Sequence, residues 1–223
     1  MLARILETEV MDTVDEAQSY DAMDHSGVNA RFVADFLTVH GTSRGGWFLD
    51  VGTGTARIPI LLAQADPSAK VLALDLAAQM LLVANRNIAQ SGLEARIQTC
   101  HQDAKAVAES DARFEAVFSN SIIHHIPEPE TALAEMVRLV APGGTLFIRD
   151  LERPKNQESL FHLVETYAGG ESEQARAMFR DSLHAALTLD ELRSLCLSLG
   201  LPESCVARTS DRHWTLSWQR TAT

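Results

Sequence analysis

The run Trp47-Phe48-Leu49-Asp50-Val51-Gly52-Thr53-Gly54-Thr55-Ala56-Arg57 narrows the fold more than any other stretch of this chain. Its apolar start reads as a buried strand, Gly-x-Gly as a tight turn, and the periodic Ile58-Pro59-Ile60-Leu61-Leu62-Ala63 as the start of a helix. Glycine at 52 and 54 admits positive φ and lets a small molecule approach the backbone, because no Cβ stands in the way. The N–H groups of the first helical turn then face that molecule. A dinucleotide fingerprint needs a third glycine where this chain has Arg57, and Asp50 would oppose a pyrophosphate. The next strand, Lys70-Val71-Leu72-Ala73-Leu74-Asp75, ends in an acid about twenty residues on, where such folds bind a ribose hydroxyl. A nucleoside with a positive, phosphate-free tail fits all three facts, and an NAD(P)-dependent oxidoreductase fits them less well.

From Trp47 onward strands and helices alternate, the pattern of right-handed crossovers and a parallel sheet. Strands are expected near 47–51, 70–75, 95–100, 114–119 and 144–150, and helices near 57–64, 77–90, 104–109 and 129–140. Asp50, Asp75, Asp103, Asn120 and Asp150 all fall at carboxyl ends of strands, where open α/β sheets bind ligands. One shared pocket is the expectation.

With these residues in view, the chain resembles the class I S-adenosylmethionine (SAM) dependent methyltransferases. Leu49-Asp50-Val51-Gly52-Thr53-Gly54-Thr55 resembles the family's first motif and Ala73-Leu74-Asp75-Leu76-Ala77-Ala78-Gln79-Met80-Leu81 its second. Gln102-Asp103-Ala104, Ser119-Asn120-Ser121-Ile122-Ile123-His124-His125-Ile126 and Leu139-Val140-Ala141-Pro142-Gly143-Gly144-Thr145-Leu146 follow as the third, fourth and fifth. The resemblance spans Trp47 to Asp150 and is similar in motif style to the branch containing the ubiquinone and menaquinone C-methyltransferases. It implies a Rossmann-like α/β fold: seven strands, mostly parallel, helices on both faces, a closing antiparallel hairpin, and helical lid elements.

The same resemblance implies the site. The turn Gly52-Thr53-Gly54 contacts the methionine part of SAM with Asp50 near its ammonium, and Asp75 accepts from the ribose hydroxyls. Asp103 accepts from the adenine amine, Ala104 donates through its backbone, and Leu76 and Met80 flank the ring. Asn120 closes the cofactor set. The product is S-adenosylhomocysteine, and no metal is expected. Read singly, Asp50, Asp75 and Asp103 are each compatible with capping a following helix.

On the acceptor side, Ser121-Ile122-Ile123 replaces the Pro-Pro-aromatic that follows Asn120 in enzymes acting on planar amines, which disfavours DNA and protein-glutamine N-methylation. His124 and His125 suit proton removal from a hydroxyl, thiol or acidic carbon, since imidazole titrates near neutrality. A pair that caps backbone groups around Ile126-Pro127 is an equal reading. Tyr20, from a segment that lies over the cofactor in related enzymes, and Asp150 complete the catalytic candidates. Arg153 is a further candidate or else a surface ion pair, and His25, His184 and His213 rank lower. His162, His184 and His213 lack ligand spacing.

Acids outnumber bases 30 to 19, a net charge of −11 that opposes approach to a phosphate backbone, so a small molecule is the expected partner and nucleic acid is not. Acids interrupt the first residues where a signal peptide needs an apolar core, and no run is long enough to insert in a membrane, which makes cytoplasm the default. Cys100, Cys196 and Cys205 form neither a disulfide framework nor a zinc spacing. The expected layout is one domain: a helical cap over 1–40, a SAM-binding core over 47–150, a helical insertion over 151–187, and a last helix and hairpin over 188–223. A SAM-binding module without catalysis is the alternative.

Overall fold

The structure is a computed structural model and describes residues 2–7 and 12–222. Its elements run α1 (Val14–Ala22), α2 (Ser26–His40), β1 (Trp47–Val51), α3 (Arg57–Ala65), β2 (Lys70–Asp75), α4 (Ala78–Gln90), β3 (Ile97–His101) and β4 (Phe114–Asn120). A 3-10 turn (Ile123–His125) leads to α5 (Pro129–Leu139), β5 (Val140–Leu151), α6 (Gln157–Ala168), α7 (Glu173–Ala185), α8 (Leu189–Ser198), β6 (Val206–Arg208) and β7 (His213–Gln219). The seven strands are ordered β3-β2-β1-β4-β5-β7-β6. β1 pairs in parallel with β2 and β4, setting Asp50 beside Ala73 and Phe118, and β2 pairs in parallel with β3, setting Asp75 beside His101. β6 and β7 form the expected antiparallel hairpin.

The chain divides into two compact units. The larger holds residues 10–120, 131–148 and 217–223, and its core explains why β1 and β4 are buried almost throughout. Both faces of a parallel sheet are covered by helices, so little along its strands can be polar. Phe32 and Phe36 of α2 meet Phe48, Phe118 and Phe147 with ring centroids 5.3 to 6.1 Å apart. The smaller unit holds 1–9, 121–130 and 149–216, with Leu160, Leu163 and Val164 of α6 packed with Leu183 and Leu151.

Three expectations about elements are corrected. No helix forms over 104–109, because side chains take the amides a helix would use: Val107 N–H donates to Glu135 and Ala108 N–H to Gln102. β5 begins at Val140 rather than 144, since Gly143 N–H donates to the Arg220 carbonyl and Arg220 N–H to that of Gly144. The helical cap expected over 1–40 begins, among the described residues, only at α1. Thr13 and Glu16 form a capping box that starts it there, whereas Leu2–Glu7 is irregular, and residues 8–11 lie outside the described residues.

Candidate active site

In the larger unit the glycine turn is gripped by β2. Gly52 and Thr53 N–H both donate to the Leu74 carbonyl at 2.9 Å, and Gly54 N–H donates to Asp75 Oδ2 at 2.7 Å. Gly52 (φ 75), Gly54 (φ 54) and Ala56 (φ 62) are left-handed, which folds the chain back into α3. The amides of the turn are therefore committed within the protein, and what it offers a ligand is close backbone approach. Asp75 is a double fastener, because its Oδ1 accepts from Ala77 N–H at 2.9 Å at the entrance to α4. Burial pushes the Asp75 carboxyl above its ordinary range, against the pull of those amides.

Asp50 lies at the end of β1, 2% exposed, and does not cap α3, whose first turn has no side-chain cap. Burial pushes its carboxyl up to about 7, with the Thr53 hydroxyl opposing and Asp75 adding. No cation among the described residues offsets it. An uncompensated buried acid is costly on its own and is relieved by a positively charged ligand, so this donor set fits the ammonium-bearing SAM.

Tyr20, at the end of α1, lies over the turn: a Cβ built on Gly54 would sit 3.5 Å from its ring. Although Tyr20 is 37% exposed as a residue, desolvation of its hydroxyl, then Asp75 and Asp50, push that group above the ordinary phenol range, so it stays a donor. The neighbouring Asp21 holds it there, pairing with Arg57 at 3.0 Å and Arg86 at 3.1 Å and accepting from Asn87 at 2.9 Å. Arg57, the residue that broke the dinucleotide pattern, is thus an anchor for α1. Leu76 is exposed after β2 and Met80 is buried on α4. Asp103 makes a tight turn by accepting from Lys105 N–H at 2.8 Å, Ala104 beside it is buried, and Asn120 ends β4.

In the smaller unit Asp150 and His124 form a buried pair, with Asp150 Oδ1 accepting from His124 Nδ1 at 2.5 Å. Asp150 also accepts from the N–H groups of Ile123 at 2.6 Å, Leu151 at 2.6 Å and His124 at 3.3 Å. Burial alone would raise the Asp150 carboxyl, but His124 outweighs it and holds the acid ionised. Burial likewise works against a charged His124, and Asp150 and Glu7 outweigh it, raising its pKa. Glu7 stands 3.5 Å from His124 Nε2 and 3.3 Å from His125 Nδ1.

The carbonyls around Ile126-Pro127 are satisfied by Arg4 rather than by the histidines. Its guanidinium donates to Ile126 at 2.9 Å, Pro127 at 3.2 Å and His124 at 3.4 Å, and to Ala185 at 2.7 Å. Arg153 is buried, not a surface ion pair: it donates to the Ala186 carbonyl at 2.7 Å and to Glu191, the acid of the Thr188 capping box. His213 accepts or donates at Ser210 Oγ, 2.8 Å away, and burial with Arg212 pushes it down to about 4. The His25 ring lies tilted against that of Tyr20, with centroids 5.2 Å apart. Asp21, Glu7 and Arg4 were not singled out from sequence, where only the Thr13-x-x-Glu16 box hinted that the amino-terminal segment breaks in two.

Residues 48–144 match a family model described as a methyltransferase domain. Over 175 residues the chain is 33% identical to an uncharacterized methyltransferase of Mycobacterium tuberculosis, spanning 77% of this chain and 85% of that one. A demethylmenaquinone methyltransferase of Thermus thermophilus is 36% identical over 116 residues, 52% of this chain and 51% of its own. The fold matches the crystal structure of a SAM-dependent methyltransferase from Aquifex aeolicus with a TM-score of 0.68 at 18% identity, over 94% of this chain and 99% of that one.

Proposed function

The chain belongs to the class I SAM-dependent methyltransferases, and from that premise we propose that it methylates a small-molecule acceptor. The observation that carries the cofactor assignment is the buried, unneutralised Asp50 beside the glycine turn that Asp75 pins. Asp50 would meet the ammonium, Asp75 the ribose hydroxyls, and Leu76 and Met80 the adenine faces, with Asp103, Ala104 and Asn120 at the remaining polar edge. When bound, SAM supplies an electrophilic methyl on a sulfonium. The chain's own work is then alignment, which contributes up to roughly 7 to 11 kcal/mol. Tyr20, kept protonated, donates and positions at the turn. Asp150, saturated by its donors, orients His124 and takes no proton itself.

The acidic balance, 30 acids to 19 bases, supports a small acceptor over a polyanion. A demethylmenaquinone methyltransferase among the relatives agrees with that class. The test is a labelled-methyl transfer screen across hydroxyl, thiol, amine and carbon acceptors, run beside tRNA, DNA and protein. Turnover on a small molecule is expected, and transfer to the macromolecules alone would overturn the reading.

A further inference from the structure

We propose that Glu7, His124 and His125 form a binding site for a divalent transition-metal ion of the zinc type. One ligand atom from each side chain lies within 4.8 Å of the other two. Glu7 Oε1 is 3.5 Å from His124 Nε2 and 3.3 Å from His125 Nδ1. Neither contact is a hydrogen bond, since Glu7 Oε1 is buried and has no hydrogen-bond partner among the described residues. Metal–ligand bonds of about 2.0–2.2 Å at tetrahedral angles put neighbouring donor atoms about 3.3–3.5 Å apart. Two edges of the triangle already have that length, and the third lies within 4.8 Å.

The surroundings also match. Asp150 accepts from His124 Nδ1 at 2.5 Å, which fixes a proton on that nitrogen, so that an incoming ion displaces the proton of Nε2 and takes its lone pair on the side of Glu7. A carboxylate behind a histidine is the usual outer partner of a metal-bound imidazole. The other Glu7 oxygen takes the Ser182 hydroxyl at 3.4 Å, leaving Oε1 to the histidines. Arg4 ties its own segment to the carbonyls of His124 and Ile126 and so presents Glu7. Two nitrogens and one carboxylate oxygen with a fourth position open is a zinc-type set, whereas calcium and magnesium prefer all-oxygen shells. The ion clamps Leu2–Glu7 onto the Ile123–His125 turn.

This inference stands apart from the SAM assignment and is tested without it. The untagged chain, stripped with a chelator, is titrated with zinc against a chromogenic chelator and with cobalt by visible absorption. One tight equivalent is expected, with the strong d–d bands of four-coordinate cobalt. Glu7→Gln and His125→Ala, each checked for native circular dichroism, should weaken it at least tenfold. Absence of a tight equivalent in the parent chain, or survival of tight binding in either folded variant, overturns the proposal. The three groups are then an ion-paired cluster around a protonated His124.

Discussion

A carboxyl group out of water with a pKa of about 7 makes Asp50 the residue whose behaviour is easiest to read from outside. Its folded value lies above the unfolded one of about 3.9, so its contribution to stability is complete below about pH 4 and is lost as pH rises through 7. Asp50→Asn should therefore stabilise the cofactor-free protein at pH 8, on the order of a few kcal/mol, and by only about 1–2 kcal/mol at pH 5. Denaturant melts at the two pH values check this. The ligand ammonium demands the ionised form, so SAM affinity should fall as pH drops from 8 to 6, up to about tenfold per unit below 7. Calorimetry should find that slope in the parent chain and a flat, weak response in Asp50→Asn. Asp75 gives a different signature, because both of its oxygens accept backbone N–H groups. Asparagine must turn an NH2 toward Gly54 or Ala77, a mispairing worth about 1–3 kcal/mol. Asp75→Asn is accordingly expected to cost SAM affinity tens-fold or more; an unchanged Kd would remove the ribose assignment.

Among the elements, α1 has little hold of its own. Ala17 is its buried residue, and Asp21 at its last turn carries the polar attachment to Arg57, Arg86 and Asn87. Asp21→Ala should release Tyr20 from the turn and weaken SAM binding by about 1–3 kcal/mol, while the melting temperature moves only a few degrees. Stopped-flow or equilibrium binding separates the two effects. The attachment could not be read beforehand, because it joins positions 36 and 65 residues apart in sequence. Where local chemistry decides, the sequence was legible: the strand ends with their acids, the Thr188-x-x-Glu191 box opening α8, and Gly200 closing it. Where a distant partner decides, it was not. Glu135 draws Val107 out of the helix expected after Asp103, and the backbone of Arg220 lengthens β5. Glu7 belongs to the same class, an acid with no periodicity to mark it, brought to two histidines more than a hundred residues away.

At the level of the whole molecule, the two compact units separate the two ligand assignments. Hydrogen exchange should show SAM protecting 50–56, 75–81 and 103–105, and zinc protecting 2–7 and 123–126. Protection of one set by the other ligand would contradict that assignment. The residues of the SAM set lie inside the five motifs, which is why they were recognisable as a set. Arg4 carries a consequence of its own. Its guanidinium serves carbonyls on both the 124–127 loop and the end of α7. A recombinant version trimmed to begin at Thr13, an inviting place because a helix starts there, would strand those oxygens. It should emerge sparingly soluble and quick to be clipped by proteases near Ile126 and Ala185, although no residue of the SAM corner had been touched.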